Sequence, residues 1–271
     1  MTEFLYGAQV NANGIRQHYL RYGGAGKQPL VLIPGITSPA VTWGFVAEKL
    51  AEKYDVYVLD VRGRGLSESG PELDYSPAAC ADDAIELIKA LGLTNVILMG
   101  HSMGARFAAL AVARGAQGIS QLVLVDPPVS GPGRREYPSK LPWYVDSIRQ
   151  SLVGMSAEDM KAFCPTWTEE QRALRAQWLH SCYEPAIVRA FNDFHEVDFH
   201  QDLAAVKLPC SLMVAGKGGV IQPEDEAEML TLCPQLAIAH VGTAGHMIPW
   251  DDLDGFINTA FELISAGEAA Q

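Results

Sequence analysis

Val96-Ile97-Leu98-Met99-Gly100-His101-Ser102-Met103-Gly104 is the stretch whose reading decides the fold. Four apolar residues in a row suit a strand buried on both faces. A Gly-x-Ser-x-Gly follows at once, and residues 103–114 behind it carry a helical pattern. Strand, sharp turn and helix form the setting in which a serine hydroxyl is lifted clear of a sheet, with glycine on both sides so that neighbouring backbones can pass closely. Ser102 is therefore the expected nucleophile.

Outward from this centre, apolar runs at 30–33, 56–59 and 122–125, and later at 210–215 and 236–240, predict further buried strands. Helical patterns separate them; residues 76–91 begin with a capping Ser76 followed by Pro77 at the first helical position. Alternating strand and helix imply a parallel sheet. Ahead of it, Asn13-Gly14 within residues 8–22 predicts an antiparallel hairpin, and residues 254–266 predict a closing helix. From 131 to 206 the rhythm changes to helical stretches with Trp143, Trp167, Trp178 and several prolines, without a buried strand. The expected fold class is thus α/β: a mostly parallel central sheet with an N-terminal antiparallel hairpin, helices on both faces and a helical cap insertion. The expected division is core over 1–130, cap over 131–206 and core again over 207–271. Because the insertion follows a strand end, where ligands bind in open parallel sheets, it is expected to cover the site.

With 271 residues, 48% of them hydrophobic, the chain can bury one full-sized core. Its 20 basic and 32 acidic residues leave a net charge of -12, which repels phosphate backbones and anionic lipid and points to a small-molecule substrate. No apolar run reaches the roughly 18 residues of a membrane span. The start Met1-Thr2-Glu3-Phe4 lacks the basic-then-apolar layout of a signal peptide, so a cytoplasmic protein is expected. Cys80, Cys164, Cys182, Cys210 and Cys233 are odd in number and scattered, which suits buried small hydrophobes better than disulfides or a zinc site.

A serine hydroxyl needs a base within hydrogen-bond reach. His246, in Thr243-Ala244-Gly245-His246 after the last strand, is the expected one. The other histidines have simpler explanations: His18 on the hairpin, His180, His195 and His200 in or at the edge of the insertion, His240 within a strand, and His101 beside the nucleophile but off the wrong side of the turn. The acid that orients His246 commonly follows the penultimate strand, but there Gly216-Lys217-Gly218-Gly219 puts Gly219 in its place. Asp126, at the end of the 122–125 strand, is the expected acid instead. Should Asp126 merely cap the turn before Pro127-Pro128, Asp225 or Glu224 would serve. Oxyanion donors are expected from the N–H groups of Met103 and of Ile36 in Pro34-Gly35-Ile36. His195-Glu196-Val197-Asp198-Phe199-His200 spaces its histidines one residue too far for a zinc-protease helix, so no metal is expected. Tyr137, Trp143, Tyr144 and Phe163 are candidates for a pocket wall, although such aromatics more often pack a cap on its core.

Asp60-Val61-Arg62-Gly63-Arg64-Gly65-Leu66-Ser67 resembles the D-x-R-G-x-G-x-S loop of the α/β-hydrolase superfamily, and the resemblance spans essentially the whole chain. Pro34 departs from the histidine usual before the oxyanion-loop glycine, and Gly219 from the usual acid. Within the superfamily, Ser102, Asp126 and His246 together with Val125-Asp126-Pro127-Pro128-Val129-Ser130-Gly131-Pro132-Gly133-Arg134-Arg135 resemble the N-formylmaleamate deformylases of aerobic nicotinic acid breakdown. That resemblance implies hydrolysis of a formyl amide to formate and maleamate through a formyl-Ser102 intermediate, with no metal or organic cofactor. A carboxylated substrate calls for a cation, and Arg106, Arg134, Arg135 and Lys140 are the candidates, each with a solvated surface role as its alternative. The same triad would serve a carboxylesterase or enol-lactone hydrolase, and a ligand receptor on this fold is a remoter reading. Haloalkane dehalogenases and epoxide hydrolases are disfavoured because they place Asp where Ser102 stands.

Overall fold

The computed structural model describes residues 3–269; Met1 and Thr2, on which the signal-peptide reading partly rests, lie outside the described residues. Eight strands make one sheet: β1 (Phe4–Ala12), β2 (Ile15–Tyr22), β3 (Pro29–Ile33), β4 (Asp55–Asp60), β5 (Val96–His101), β6 (Ile119–Val125), β7 (Cys210–Ala215) and β8 (Leu236–Val241). Their spatial order is β1-β2-β4-β3-β5-β6-β7-β8. β1 and β2 pair antiparallel, as do β2 and β4, and every pair from β4 across to β8 is parallel. The hairpin closes on Asn13 and Gly14, both with positive φ (54° and 72°), the two-residue turn whose twist matches that of its strands. β4, β5 and β7 are buried at every position, which explains why their sequences read as continuous apolar runs. β5 continues two residues past Met99, because Gly100 and His101 still pair with Leu124 and Val125 of β6.

The helices of the sheet are α1 (Gly44–Leu50), α2 (Pro77–Ala90) and α3 (Met103–Ala113), and, after β7, α9 (Pro223–Leu232), α10 (Ile248–Asp251) and α11 (Leu253–Ala269). Ser76 caps α2 by accepting from the Ala79 N–H. Between β6 and β7 lie α4 (Leu141–Leu152), α5 (Ala157–Met160), α6 (Glu169–Trp178), α7 (Glu184–Glu196) and α8 (Phe199–Ala205), with no strand among the described residues of that stretch. Long-range bonds tie these helices to the sheet side: the Tyr183 N–H donates to the Gly63 carbonyl at 2.8 Å, and Arg175 donates to the Thr37 carbonyl at 3.0 Å.

Candidate active site

Ser102 sits between β5 and α3 with φ 54° and ψ −120°, a conformation that an L-residue adopts only under constraint. The constraint is close packing of helix on sheet. A Cβ on Gly104 would lie 2.0 Å from the Ile33 carbonyl oxygen, and one on Gly100 would lie 2.3 Å from the Gly104 carbonyl oxygen. Both glycines of the motif are therefore required by space, and the turn they allow projects Ser102.

His246, in the loop between β8 and α10, has Nε2 3.0 Å from Ser102 Oγ and Nδ1 2.6 Å from Asp126 Oδ2. Asp126 follows β6 in a left-handed conformation (φ 45°), is fully buried, and takes a second bond from the Ala215 N–H to Oδ1 at 3.2 Å. An ionised carboxylate only accepts, so Nδ1 donates to it and the Nε2 lone pair faces the serine hydroxyl. A Cβ on Gly218 would stand 3.3 Å from Asp126 Oδ2 and 3.1 Å from the His246 nitrogen, so the glycine loop passes close beside this pair. Asp225 is occupied elsewhere, accepting from the Gln222 N–H at 2.7 Å at the start of α9 and pairing with Arg135. His101 backs the His246 segment: its Nε2 lies 2.9 Å from the His246 carbonyl oxygen, and burial pushes its imidazole down to about 3, so it stays neutral and donates.

The Pro34-Gly35-Ile36 segment comes equally close. A Cβ on Gly35 would lie 3.0 Å from His101 Nδ1 and 3.5 Å from Ser102 Cβ, so glycine is what lets this segment approach Ser102. The buried Arg64 guanidinium braces this loop, donating to the carbonyls of Ile36 (3.0 Å) and Arg62 (2.8 Å) and contacting Met103 Sδ at 3.3 Å. Asp60 anchors the same region by accepting from the N–H groups of Ala40 (2.6 Å) and Leu66 (3.0 Å) and from His18 Nδ1 (2.7 Å). The D-x-R-G-x-G-x-S loop thus holds the segments that carry Ile36 and Met103. Above the triad opens a cavity of about 390 Å³, within the range of small-molecule sites. Ile36, Ser102 and His246 line its floor side, and Tyr137, Trp143, Tyr144, Phe163, Trp167 and Arg175 line it from the β6–β7 stretch.

A model of the alpha/beta hydrolase fold family matches residues 28–253. The chain belongs to the α/β-hydrolase fold family. This α/β hydrolase is 69% identical to the N-formylmaleamate deformylase of Pseudomonas putida, over 94% of its own length and 95% of that protein's. It superposes with a TM-score of 0.91 on a crystal structure of an N-formylmaleamic acid deformylase variant, also from Pseudomonas putida, at 55% identity over 94% of this chain and all of that one (100%). E-2-(acetamidomethylene)succinate hydrolase shares the fold at 20% identity and a TM-score of 0.77, over 97% of this chain and 99% of that one.

Four cations that the sequence offered for a substrate carboxylate do not reach the cavity of this hydrolase. Arg106 is buried in α3 and gives its guanidinium to the backbone carbonyls of Pro128, Ser130, Asp193, Phe194 and Val197. Arg134 pairs with Glu228 at 2.6 Å, Arg135 with Asp225, and the exposed Lys140 with Glu136 one turn away at 3.0 Å. Nearness in sequence to Ser102 or to the start of the insertion misleads, because each of these side chains meets a protein partner before it meets the cavity. Arg175 reaches it instead; no motif marks that residue, and only its contact with Thr37 across the fold gives it meaning. Tyr137 also stands closer to the chemistry than the sequence suggests, with its hydroxyl 3.2 Å from His246 Nε2 and its phenol held protonated by burial.

Proposed function

We propose that the protein hydrolyses the formyl amide of N-formylmaleamate to formate and maleamate in nicotinic acid breakdown. One observation carries the reading: 69% identity to an N-formylmaleamate deformylase over nearly the full length of both chains. The spacing of Ser102, His246 and Asp126 supports it chemically. Ser102 Oγ attacks the formyl carbon while His246 Nε2 takes the hydroxyl proton, and Asp126 stabilises the imidazolium. Negative charge on the former carbonyl oxygen is met by the N–H groups of Ile36 and Met103, a term of about 3 kcal/mol per donor in such sites. As the C–N bond breaks, His246 returns the proton to the departing nitrogen and maleamate leaves. A water activated by the same imidazole then releases formate from formyl-Ser102 and restores the hydroxyl.

In this reading the helices of residues 131–206 form a cap whose aromatic side chains exclude bulk water from the reacting bond. The chemistry calls for no metal or organic cofactor. A small acidic substrate, a net charge of -12 and five free buried cysteines fit a cytoplasmic enzyme without nucleic-acid or membrane partners. Among the described residues no helix is long and apolar enough to cross a membrane. Labelling with a fluorophosphonate tests the nucleophile: the wild type takes up one equivalent on Ser102 and the Ser102→Ala variant takes up none. A wild type that stays unlabelled would favour a binding protein on a hydrolase fold.

A further inference from the structure

We infer that Arg175, from α6, is the residue that receives the substrate carboxylate and so sets the preference for anionic over neutral acyl compounds. This rests on the reading above, in which the substrate carries a carboxylate at the end remote from its formyl group. Among the described residues lining the cavity, Arg175 is the one Lys or Arg side chain. It is nine-tenths buried or more, at 4% exposure, yet no carboxylate stands within ion-pair distance of it among the described residues. Its bonds are to the Thr37 carbonyl (3.0 Å) and Thr37 Oγ1 (2.9 Å), with the Cys164 thiol as a further polar neighbour, and its Nε has no partner. A guanidinium carries five N–H donors, so bonding capacity remains.

A buried cation without a counter-ion is costly and strongly favours acquiring one. Trp143 and Trp167 relieve part of that cost, with ring centroids 5.6 and 5.8 Å from the guanidinium carbon. Nη1 and Nη2 each spend one N–H on Thr37, which leaves further N–H groups of the guanidinium to meet a carboxylate. Asp251, the one carboxylate on the described cavity wall, is held by the Gly245 N–H at 2.8 Å. Arg175, Thr37, Ile36 and Ser102 line the same cavity, so one small substrate can meet Arg175 with its carboxylate and Ser102 with its formyl carbon. The cation thus measures the substrate from carboxylate to reacting carbon.

The test has a wild-type arm and a variant arm. Maleate should inhibit wild-type hydrolysis of 4-nitrophenyl acetate at least about tenfold more tightly than neutral maleic diamide; equal inhibition would overturn the assignment. In Arg175→Gln, kcat/KM for N-formylmaleamate relative to that for 4-nitrophenyl acetate should fall about 10- to 100-fold, chiefly through KM, and Arg175→Lys should recover part of the ratio. A parallel loss on both substrates, with the ratio unchanged, would reduce Arg175 to a strut between α6 and the oxyanion loop and overturn it. Should the wild type release no formate from N-formylmaleamate, the proposed function fails, whereas maleate inhibition still decides whether Arg175 holds an anion.

Discussion

Asp126 shows how far single residues can be read. Its selection in sequence rests on Gly219 standing where an acid is usual, and the fold puts its Oδ2 2.6 Å from His246 Nδ1. Ser102 and His246 are legible from motif and chain order, because a strained elbow needs its glycines and a base needs a loop after the last strand. Tyr137 is legible as a candidate for the pocket wall but not in its contact with His246, and Arg175 is not legible at all, since those contacts arise only when residues far apart in sequence are packed together. Asparagine tolerates the left-handed backbone that Asp126 adopts, so Asp126→Asn isolates the charge from the fold. It should lower kcat by about 10³- to 10⁴-fold while the urea unfolding midpoint stays near that of the wild type. Full activity in that variant would move the orienting role to another carboxylate.

At the scale of elements, the buried strands were the readable part, because a strand covered on both faces must be apolar throughout. The helices between β6 and β7 were readable as helices, and Trp143 and Tyr144 of α4 as candidates for the pocket wall that they line, but Arg175 was not readable there. Their inward residues mix aromatic packing with single polar contacts such as Arg175 to Thr37, and neither has a period. The seam of α3 against β3 makes a sharper demand, since a Cβ on Gly104 would meet the Ile33 carbonyl at 2.0 Å. Neither partner is a movable side-chain tip, so Gly104→Ala must push helix from sheet. The expected outcome is a loss of about 3 kcal/mol in unfolding free energy together with disturbance of the Ser102 turn. A variant with wild-type stability and turnover would mean that the elbow is looser than this packing requires.

Across the whole molecule, an excess of acid surrounds a few deeply placed cations. Arg62, Arg64, Arg106 and Arg175 are all buried. Arg62 is matched by Asp83, with Nη2 to Oδ1 at 2.5 Å, whereas Arg64 and Arg106 donate to backbone carbonyls and brace the Ile36 segment and the end of α7. Composition reports the sum of charge but not this division of labour: Arg106, Arg134, Arg135 and Lys140, the cations the sequence offers for a carboxylate, are held by backbone carbonyls or paired with carboxylates of the protein. The cavity brings together Ser102, His246 and, among its described lining residues, a single Lys or Arg side chain, that of Arg175. Triad chemistry by itself serves esters and lactones as readily as formamides, so the substrate must be decided by competition. Formate and maleamate released from N-formylmaleamate should be measured beside turnover of a simple ester and an enol lactone. Equal amounts of the two products are expected, with kcat/KM at least about tenfold above either competitor; absence of formate, or a selective preference for the ester or the lactone, would contradict deformylation.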